Sequence, residues 1–304
     1  MRGDPRKLTQ RGMLSGMGFG GKAGTRAATR LPPDVHRSVR RYLQLADRLL
    51  PGRVVGFHLV GSVALGAYRR GRSDIDFVAT VDGDLSDADL RRVRMVQVGA
   101  GARTTARAVA ARRFSLPGTC NGVYVRADDL PRPVTEIVPL ASHVGHEFQA
   151  GRGFDVNPVQ WTTLARHGVA VRGPEPARLG LDPQPELLRR WNLDNLAAYW
   201  VPWAEATHRR VGPRWRAMPR WSTAWGALGA PRLLHTIATG DVISKEEAGE
   251  RSKASLDPAH HAIVDEGLAW WRDEPADPRF ADVGVRAAAT ADVVLAVAEA
   301  ARAL

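Results

Sequence analysis

Two aspartates separated by one residue, Asp74 and Asp76, are the residues of this 304-residue chain that indicate chemistry most directly. The apolar segment from Ile75 to Val81 is typical of a buried strand. Because side chains alternate along a strand, both carboxylates are expected on one face. Two such carboxylates repel each other unless a cation lies between them, and oxygen ligands suit Mg²⁺. The pair predicts a Mg²⁺ site for a phosphate-bearing substrate; the alternative is a strand end with two solvated acids.

A Gly-Ser pair precedes these aspartates at a spacing that fits the same site. Gly61 and Ser62 follow an apolar run that ends at Val60, and eleven residues separate Ser62 from Asp74. Glycine has no Cβ, so the backbone at Gly61 can approach a phosphate closely. The residues from 63 to 68 are predicted to form one or two helical turns whose free N–H groups point toward that phosphate.

The Gly-Ser pair, eleven residues and Asp-x-Asp, set between two apolar strands, resemble the nucleotidyltransferase superfamily typified by polymerase β. Two later segments, 168–174 and 232–248, resemble the streptomycin/spectinomycin (aminoglycoside) adenylyltransferases, in a branch of unassigned substrate. The resemblance covers about residues 55–275. It implies an enzyme that uses Mg²⁺ to move AMP from ATP to a hydroxyl of a small molecule, such as an aminoglycoside or aminocyclitol antibiotic, in a cleft between two domains.

The resemblance also implies roles for individual residues. Besides Gly61, which shapes the turn, Ser62 and Ser73 would hydrogen-bond the nucleotide phosphates, and Asp74 and Asp76 would hold Mg²⁺. In the helical half, Arg232 and Lys245 match positions that reach the triphosphate, where cations offset the charge that develops in phosphoryl transfer. Trp271 matches an aromatic residue near the nucleotide and is expected to stack on adenine. The alternative for Arg232 and Lys245 is ordinary helix-end and surface charge.

The expected general base is missing from its usual position. The family has a glutamate on the strand after the paired aspartates, and Asn121 stands there in this chain. A neutral amide can orient a hydroxyl but cannot accept its proton. Either another carboxylate serves, or the acceptor hydroxyl is acidic, or catalysis is weak; the carboxylate candidates are Asp128, Asp129, Glu136 and Glu147. Asn121 also supports an alternative function, a nucleotide-binding protein with weak or no transferase activity.

The acceptor side departs from the family as well. Aminoglycosides are polycations, and the family has acidic residues ahead of its arginine, where this chain has the uncharged segment 222–226. Glu147 and Phe148 remain as the candidate substrate-binding residues. Nearby, His143, His146 and Glu147 could suggest zinc, but two histidines three positions apart in irregular chain, with no third ligand in register, argue against it.

The remaining sequence predicts an α+β fold. Residues 1–30 are expected to be a disordered basic tail, residues 31–150 a nucleotidyltransferase domain with a mixed sheet flanked by helices, and residues 151–304 an all-helical domain. Apolar periodicity and turn residues predict helices over 33–50, 86–98, 157–167, 186–208, 222–239, 244–253, 257–272 and 284–303. Gly99 and Gly101 are expected to interrupt the second of these, and a basic helical stretch follows them to Arg113. Further strands are predicted over 120–126 and 168–172.

Composition bounds the partners. Residues 1–30 contain seven lysine and arginine residues and one aspartate, so they account for +6 of the net charge of +11. More than half of the excess therefore lies on a glycine-rich tail, and no specific nucleic-acid partner is expected. The single cysteine, Cys120, excludes an internal disulfide and fits a cytoplasmic protein. We expect no membrane partner and a monomer.

Overall fold

A mixed six-stranded sheet forms the centre of the N-terminal half. The computed structural model describes residues 31–110, 118–145, 147–209 and 218–304, so the predicted tail over 1–30 and His146 lie outside the described residues. The spatial order is β5-β4-β3-β2-β1-β6, and β2 and β3 are parallel whereas all other neighbours are antiparallel. The strands are β1 (Val54–Leu59), β2 (Ile75–Val81), β3 (Cys120–Arg126), β4 (Ala141–Val144), β5 (Glu147–Ala150) and β6 (Val169–Arg172).

One face of the sheet is covered by α1 (Pro33–Leu49), against which α3 (Asp87–Ala110) packs. The Tyr42 ring of α1 contacts Phe57, Phe77 and His143, and its hydroxyl lies 2.6 Å from the His143 Nε2 atom. His143 is fully buried there, in β4, and burial lowers its pKa to about 4. It is a neutral core residue and does not face solvent as a metal ligand would.

The other face of the sheet carries the residues of interest. It is covered by α4 (Pro158–His167), whose Trp161 and Leu164 join Val78 and Val123 in one apolar cluster. Because side chains alternate, Asp76 of β2 and Asn121 of β3 point to the same side as these valines. The α4 face of the sheet is therefore the one on which a site must be built.

Three sequence predictions need correction in this half. The helix α3 continues through Gly99 and Gly101; a Cβ at Gly99 would lie 3.3 Å from Leu45 Cδ1, so close packing against α1 compensates for the poor helix propensity of glycine. The strands β4 and β5 replace a predicted irregular connection. The predicted strand at 168–172 is present as β6, but it pairs with β1, so a domain boundary at residue 150 would cut the sheet.

The C-terminal half is helical, as predicted. Its helices are α5 (Pro185–Asn195), α6 (Val201–Arg209), α7 (Arg220–Thr239), α8 (Lys245–Ser252), α9 (His261–Arg272) and α10 (Val283–Arg302), with α2 (Gly61–Ala64) and α4 belonging to the first half. A π-helical segment, Leu196–Trp200, joins α5 to α6 just before Pro202, which lacks a backbone N–H. Gly229 of α7 allows the Trp200 ring to pack against the helix backbone, since a Cβ there would lie 2.7 Å from it.

The two halves belong to one compact unit, residues 32–304. An ion-pair network, which we call the latch, connects the loop after α2 to the helices: it consists of Arg69, Arg72, Glu246, Arg272 and Asp273. Glu246 of α8 accepts hydrogen bonds from Arg69 (2.8 Å) and from Arg272 (2.8 Å), and Arg72 pairs with Asp273 at 2.5 Å. No helix in the described ranges is long and apolar enough to cross a membrane.

Candidate active site

Asp74 and Asp76 lie at the start of β2, on the side of the sheet that faces the helical half. Loss of hydration, opposed by Lys245 and by a hydrogen bond with Thr119, raises the pKa of Asp74 to about 6. Burial and the neighbouring charges of Asp74 and Asp155 raise the pKa of Asp76 to about 7, against the lowering effect of Lys245 and Arg232. Two carboxylates held close together, with their pKa values raised, favour the binding of a cation between them.

Gly61 is required at its position by Asp76. Its backbone is left-handed, with φ at +57°, and a Cβ there would lie 2.1 Å from the Oδ2 atom of Asp76. Any other residue would clash with the carboxylate or push it out of place. The predicted close approach at Gly61 is therefore present, but the group that approaches it is the Asp76 carboxylate. The helical turn begins earlier than predicted and is shorter, since α2 spans Gly61–Ala64.

The two serines differ in what they do. The Ser62 hydroxyl is buried and has no hydrogen-bond partner among the described residues, so it is available to a ligand. Ser73 is 4% exposed, and its hydroxyl accepts a hydrogen bond from the Arg69 N–H at 3.0 Å. Ser73 therefore closes the loop that leads into Asp74, whereas Ser62 fits the predicted role in phosphate binding.

Arg232 and Lys245 come from the helical half and act on the aspartates through their charge. Lys245 is the first residue of α8, which Ser244 caps, and loss of hydration together with Arg232 lowers its pKa to about 8 despite the two aspartates. Burial also lowers the pKa of Arg232, whose Nε donates to the Ile243 carbonyl at 3.1 Å. Neither cation forms an ion pair with a described residue. Desolvated cations opposite an acidic pair form a site for a group with negative charge.

Two tryptophans surround Lys245. Its ammonium lies 4.8 Å from the centre of the Trp225 ring and 5.3 Å from that of Trp271. Trp271 is 6% exposed, so the ring leaves little surface for a base to stack on. The prediction that Trp271 stacks on adenine is not supported by this arrangement, in which both rings instead hold the Lys245 ammonium. Trp225, 37% exposed, is the more open of the two.

A pocket of about 540 Å³ lies between the loop after α2 and the end of α9, and neither Asp74 nor Asp76 lines it. The latch residues Arg69, Arg72, Arg272 and Asp273 form part of its wall, and Trp271 also lines it. Because Ser73 and Asp74 directly follow Arg72, the latch fixes the position of the chain that enters β2.

Asn121 lies where the sequence places it but is engaged in a structural contact. It pairs with Asp76 across β2 and β3, is 5% exposed, and its Oδ1 atom accepts a hydrogen bond from the Gly145 N–H at 2.9 Å. The amide oxygen thus holds the turn between β4 and β5. Asn121 therefore stabilises the sheet beside the site.

The predicted substrate residues Glu147 and Phe148 are less well placed. Glu147 is in the edge strand β5, three strands from Asp76, which corresponds to about 14 Å at ordinary strand spacing. Phe148 pairs with His143, and His143 contacts Phe77 and Tyr42 on the α1 face. Phe148 therefore lies on the opposite side of the sheet from Asp76, and the prediction that it binds substrate is not supported.

The other candidate bases lie at the far end of β3. Asp128 and Asp129 follow Arg126, about 16 Å along the strand from Asn121 at ordinary strand rise. Asp129 is paired with Arg126 and Arg132, each at 3.2 Å, and Glu136 is paired with Arg132 at 3.2 Å. These carboxylates stabilise the turn after β3 and do not reach Asp76.

The sequence did not indicate Asp155, which the structure brings to the site. Asp155 lies in the loop between β5 and α4, is half-buried, and its charge acts on Asp76. Burial raises the pKa of Asp155. Asp155 belongs to no motif. The nearby sequence pattern indicates only the start of a helix at Asn157-Pro158, so nothing in the sequence singles out this aspartate.

The residues present fit one Mg²⁺ ion shared with a substrate better than a metal held by protein alone. Asp74 and Asp76 would supply the oxygen ligands, and the described residues contain no group of three histidine, cysteine, aspartate or glutamate side chains suited to a metal. Mg²⁺ keeps several waters and is usually bound by one or two carboxylates together with substrate phosphates. Ser62, Arg232 and Lys245 remain the residues predicted to bind those phosphates.

Comparisons with known proteins agree with this geometry. Residues 39–103, which include Gly61, Ser62 and both aspartates, match the nucleotidyltransferase domain family. No curated protein matches the sequence. The fold is similar to that of spectinomycin adenyltransferase AAD(9) from Enterococcus faecialis, whose crystal structure contains ATP and spectinomycin. The TM-score is 0.60 at 13% identity, over 88% of this chain and 99% of that one. The predicted fold class, a mixed sheet followed by a helical part, is confirmed.

Proposed function

Starting from a chain that contains a nucleotidyltransferase domain within an adenyltransferase-like fold, we propose that it transfers AMP from ATP to a hydroxyl of a small molecule, with Mg²⁺ as cofactor. The observation that supports this best is that two desolvated cations, Arg232 and Lys245, lie close enough to the acidic pair for their charges to act on it without forming ion pairs. In a complex of ATP with a divalent cation, the cation would neutralise the two aspartates and the phosphates would neutralise Arg232 and Lys245.

Each residue of the site has its own role in the proposed reaction. Asp74 and Asp76 hold Mg²⁺, which, when bound, polarises the phosphate oxygens. Ser62 donates its hydroxyl to a phosphate oxygen. Arg232 and Lys245 offset the negative charge that grows on the pyrophosphate as it leaves, and their partial desolvation strengthens this effect. These groups are preorganised by Gly61, by the latch and by the two tryptophans around Lys245.

The acceptor is proposed as an uncharged or weakly charged hydroxyl compound, with aminocyclitols such as spectinomycin as the first to test. AAD(9) was crystallised with spectinomycin, which makes that compound a reasonable probe. However, the acceptor side of this chain has the uncharged segment 222–226, and Glu147 lies at the sheet edge. Strongly cationic aminoglycosides such as streptomycin are expected to be poorer acceptors.

A direct assay tests the proposal. Purified protein is incubated with Mg²⁺, ATP and either spectinomycin or streptomycin, and pyrophosphate release and AMP-bearing product are measured. The proposal predicts product that depends on Mg²⁺ and is absent for Asp74→Asn. Folded wild-type protein that forms no AMP-bearing product from any acceptor in a wide hydroxyl panel would contradict it.

A second candidate function is ATP binding without transfer, by a protein that senses or sequesters nucleotide. Asn121 favours it, because its amide oxygen is occupied by the Gly145 N–H and cannot act as a base. Calorimetry with Mg²⁺ and ATP distinguishes the two functions when combined with the pyrophosphate assay. Tight binding with no release, and turnover that appears in Asn121→Glu, would favour this second candidate.

A further inference from the structure

A carboxylate that no motif predicts, Asp155, lies close enough to the acidic pair for its charge to act on Asp76. We infer that Asp155 is the general base of the proposed AMP transfer, taking the proton of the acceptor hydroxyl; this inference rests on the proposed function. Asp155 lies in the loop over residues 151–157, which connects β5 to α4.

The loop crosses the face of the sheet that carries Asp76. A Cβ on Gly153 would lie 2.9 Å from Ser142 Cβ and 3.4 Å from Val123 Cγ2, so the loop backbone lies directly on these two side chains. Val123 is two residues after Asn121 in β3, and Ser142 pairs with Val123, so both point to the same side as Asn121 and Asp76. Asp155, two residues beyond Gly153, is thereby brought close enough for its charge to act on Asp76.

Hydrogen bonds hold the loop on this face from both ends. At its start, the Ser142 hydroxyl donates to the Arg152 carbonyl at 2.7 Å. At its end, the Asn157 Nδ2 donates to the Phe154 carbonyl at 2.7 Å, and the Asn157 Oδ1 accepts from the Gln160 N–H at 3.0 Å, which caps α4. Asp155 lies between these two fixed points. A base must be positioned within hydrogen-bond reach of its substrate, and a pinned loop provides that.

The Asp155 carboxylate is free for this task. Among the described residues it has no hydrogen-bond donor and no cation as partner, although it is half-buried. Nor does it form a three-ligand metal group with Asp74 and Asp76 in the described part of the chain. The rival carboxylates Asp128 and Glu147 are about 14 Å or more from the acidic pair by strand geometry. An unpaired, partly desolvated carboxylate next to a phosphate site is a suitable proton acceptor.

The proposed step balances without a further reagent. The acceptor oxygen forms a bond to the α-phosphorus of ATP as the bond from that phosphorus to the bridging oxygen of pyrophosphate breaks. The hydroxyl proton moves to a carboxylate oxygen of Asp155 and then to solvent. The electron pair of the broken bond leaves with pyrophosphate, near Arg232 and Lys245.

The test compares Asp155→Asn with wild type in two measurements. The first is formation of AMP-bearing product from spectinomycin, or of free AMP when water is the only acceptor. The second is calorimetric binding of Mg²⁺ and ATP. Loss of a positioned base is expected to lower turnover by about 10² to 10⁴-fold. Nucleotide affinity should change by less than about threefold, since a base that acts on the acceptor hydroxyl does not contribute to binding of the nucleotide. Asp155→Glu, which keeps the carboxylate, should retain more activity than Asp155→Asn and guards against a variant that fails to fold.

The matched control is Asp128→Asn, which removes an exposed aspartate from the far end of β3 and should leave turnover unchanged. Turnover of Asp155→Asn within about threefold of wild type would overturn the inference. So would a loss of nucleotide affinity as large as the loss of turnover, because Asp155 would then bind metal or nucleotide. A wild-type protein that binds Mg²⁺ and ATP but forms no product from any acceptor in the wide hydroxyl panel overturns the proposed function itself, and the inference with it. This outcome is visible before any variant is compared.

Discussion

Two groups of cations lie where the sheet meets the helices, and they differ in whether carboxylates pair with them. Arg69, Arg72 and Arg272 are paired with carboxylates of the latch at 2.5 to 2.8 Å. Arg232 and Lys245 have no such partner in the described residues, lose hydration, and have lowered pKa values. Paired charges hold a structure together, whereas unpaired and desolvated charges await a ligand. From this difference we expect Arg232 and Lys245, and not the latch arginines, to bind the substrate.

The largest effect is expected from removing a charge of the acidic pair. Asp76→Asn should reduce formation of AMP-bearing product by at least about 10³-fold, because Mg²⁺ loses a ligand. The same variant should unfold at a higher temperature than wild type without metal, since a carboxylate with a raised pKa is unfavourable in the fold at pH 8. The turnover assay and thermal unfolding at pH 8 with a chelator check both effects. Lower stability together with lower activity would contradict the functional assignment.

Lys245→Ala should have the next largest effect. Loss of this cation is expected to lower turnover by about 10²-fold, because the growing charge on pyrophosphate is less well offset. Lys253→Ala is the control, since Lys253 lies just after the same helix but is paired with Glu250 and Asp265. That control should keep full activity. Equal losses of activity in the two variants would show that the distinction between paired and unpaired cations has no functional meaning.

The pH dependence of stability sharpens the comparison. In the metal-free protein, the raised pKa values of Asp74 (about 6) and Asp76 (about 7) mean that the folded state binds more protons than the unfolded state from about pH 4 to pH 7, so stability falls as pH rises through that interval. The lowered pKa of Lys245, about 8, means that the unfolded state binds more protons above pH 8, so its contribution rises again toward pH 10.

These two contributions predict a depression in the stability of the metal-free protein near pH 7 to 8. Chemical denaturation across the pH range should show it at about 1 to 3 kcal/mol, and Asp76→Asn should make it shallower. Adding Mg²⁺ with ATP should raise stability most in this interval. A profile that is identical in wild type and Asp76→Asn would contradict the assigned charges.

The smallest effect is expected from the latch. Glu246→Gln leaves Arg69 and Arg272 without their shared carboxylate, and the loss should be about 1 to 2 kcal/mol of stability after allowance for partial exposure. Turnover should fall by less than about tenfold, because the loop before Asp74 is held less firmly but no residue proposed to bind metal or phosphate is removed. Glu247→Gln, which breaks an exposed pair with Arg251, is the control and should be nearly neutral. A loss of turnover as large as that of Lys245→Ala would place the latch within the site.

The same contrast explains how much the sequence could predict. The Gly-Ser pair and Asp74–Asp76 lie on consecutive elements, so local pattern sufficed to find them, and apolar periodicity gave the helices of the second half. Asn121 was also located correctly, because β3 pairs in register with β2. Phe148 was misplaced because the edge strands β4 and β5 were not predicted, and one residue of register decides which face a side chain occupies. Asp155 was missed because an irregular loop carries no periodic signal, and only the packing of Gly153 on Ser142 and Val123 places it.

The most direct test of the central claim follows the α-phosphate of ATP. Purified protein is incubated with Mg²⁺, spectinomycin and ATP radiolabelled at either the α- or the γ-phosphate, and the products are separated. AMP transfer predicts that the α-label appears on the acceptor while the γ-label leaves in pyrophosphate, and that neither happens with Asp76→Asn. Label from the γ-phosphate on the acceptor, or α-label that stays in ATP for every hydroxyl compound tried, would contradict it.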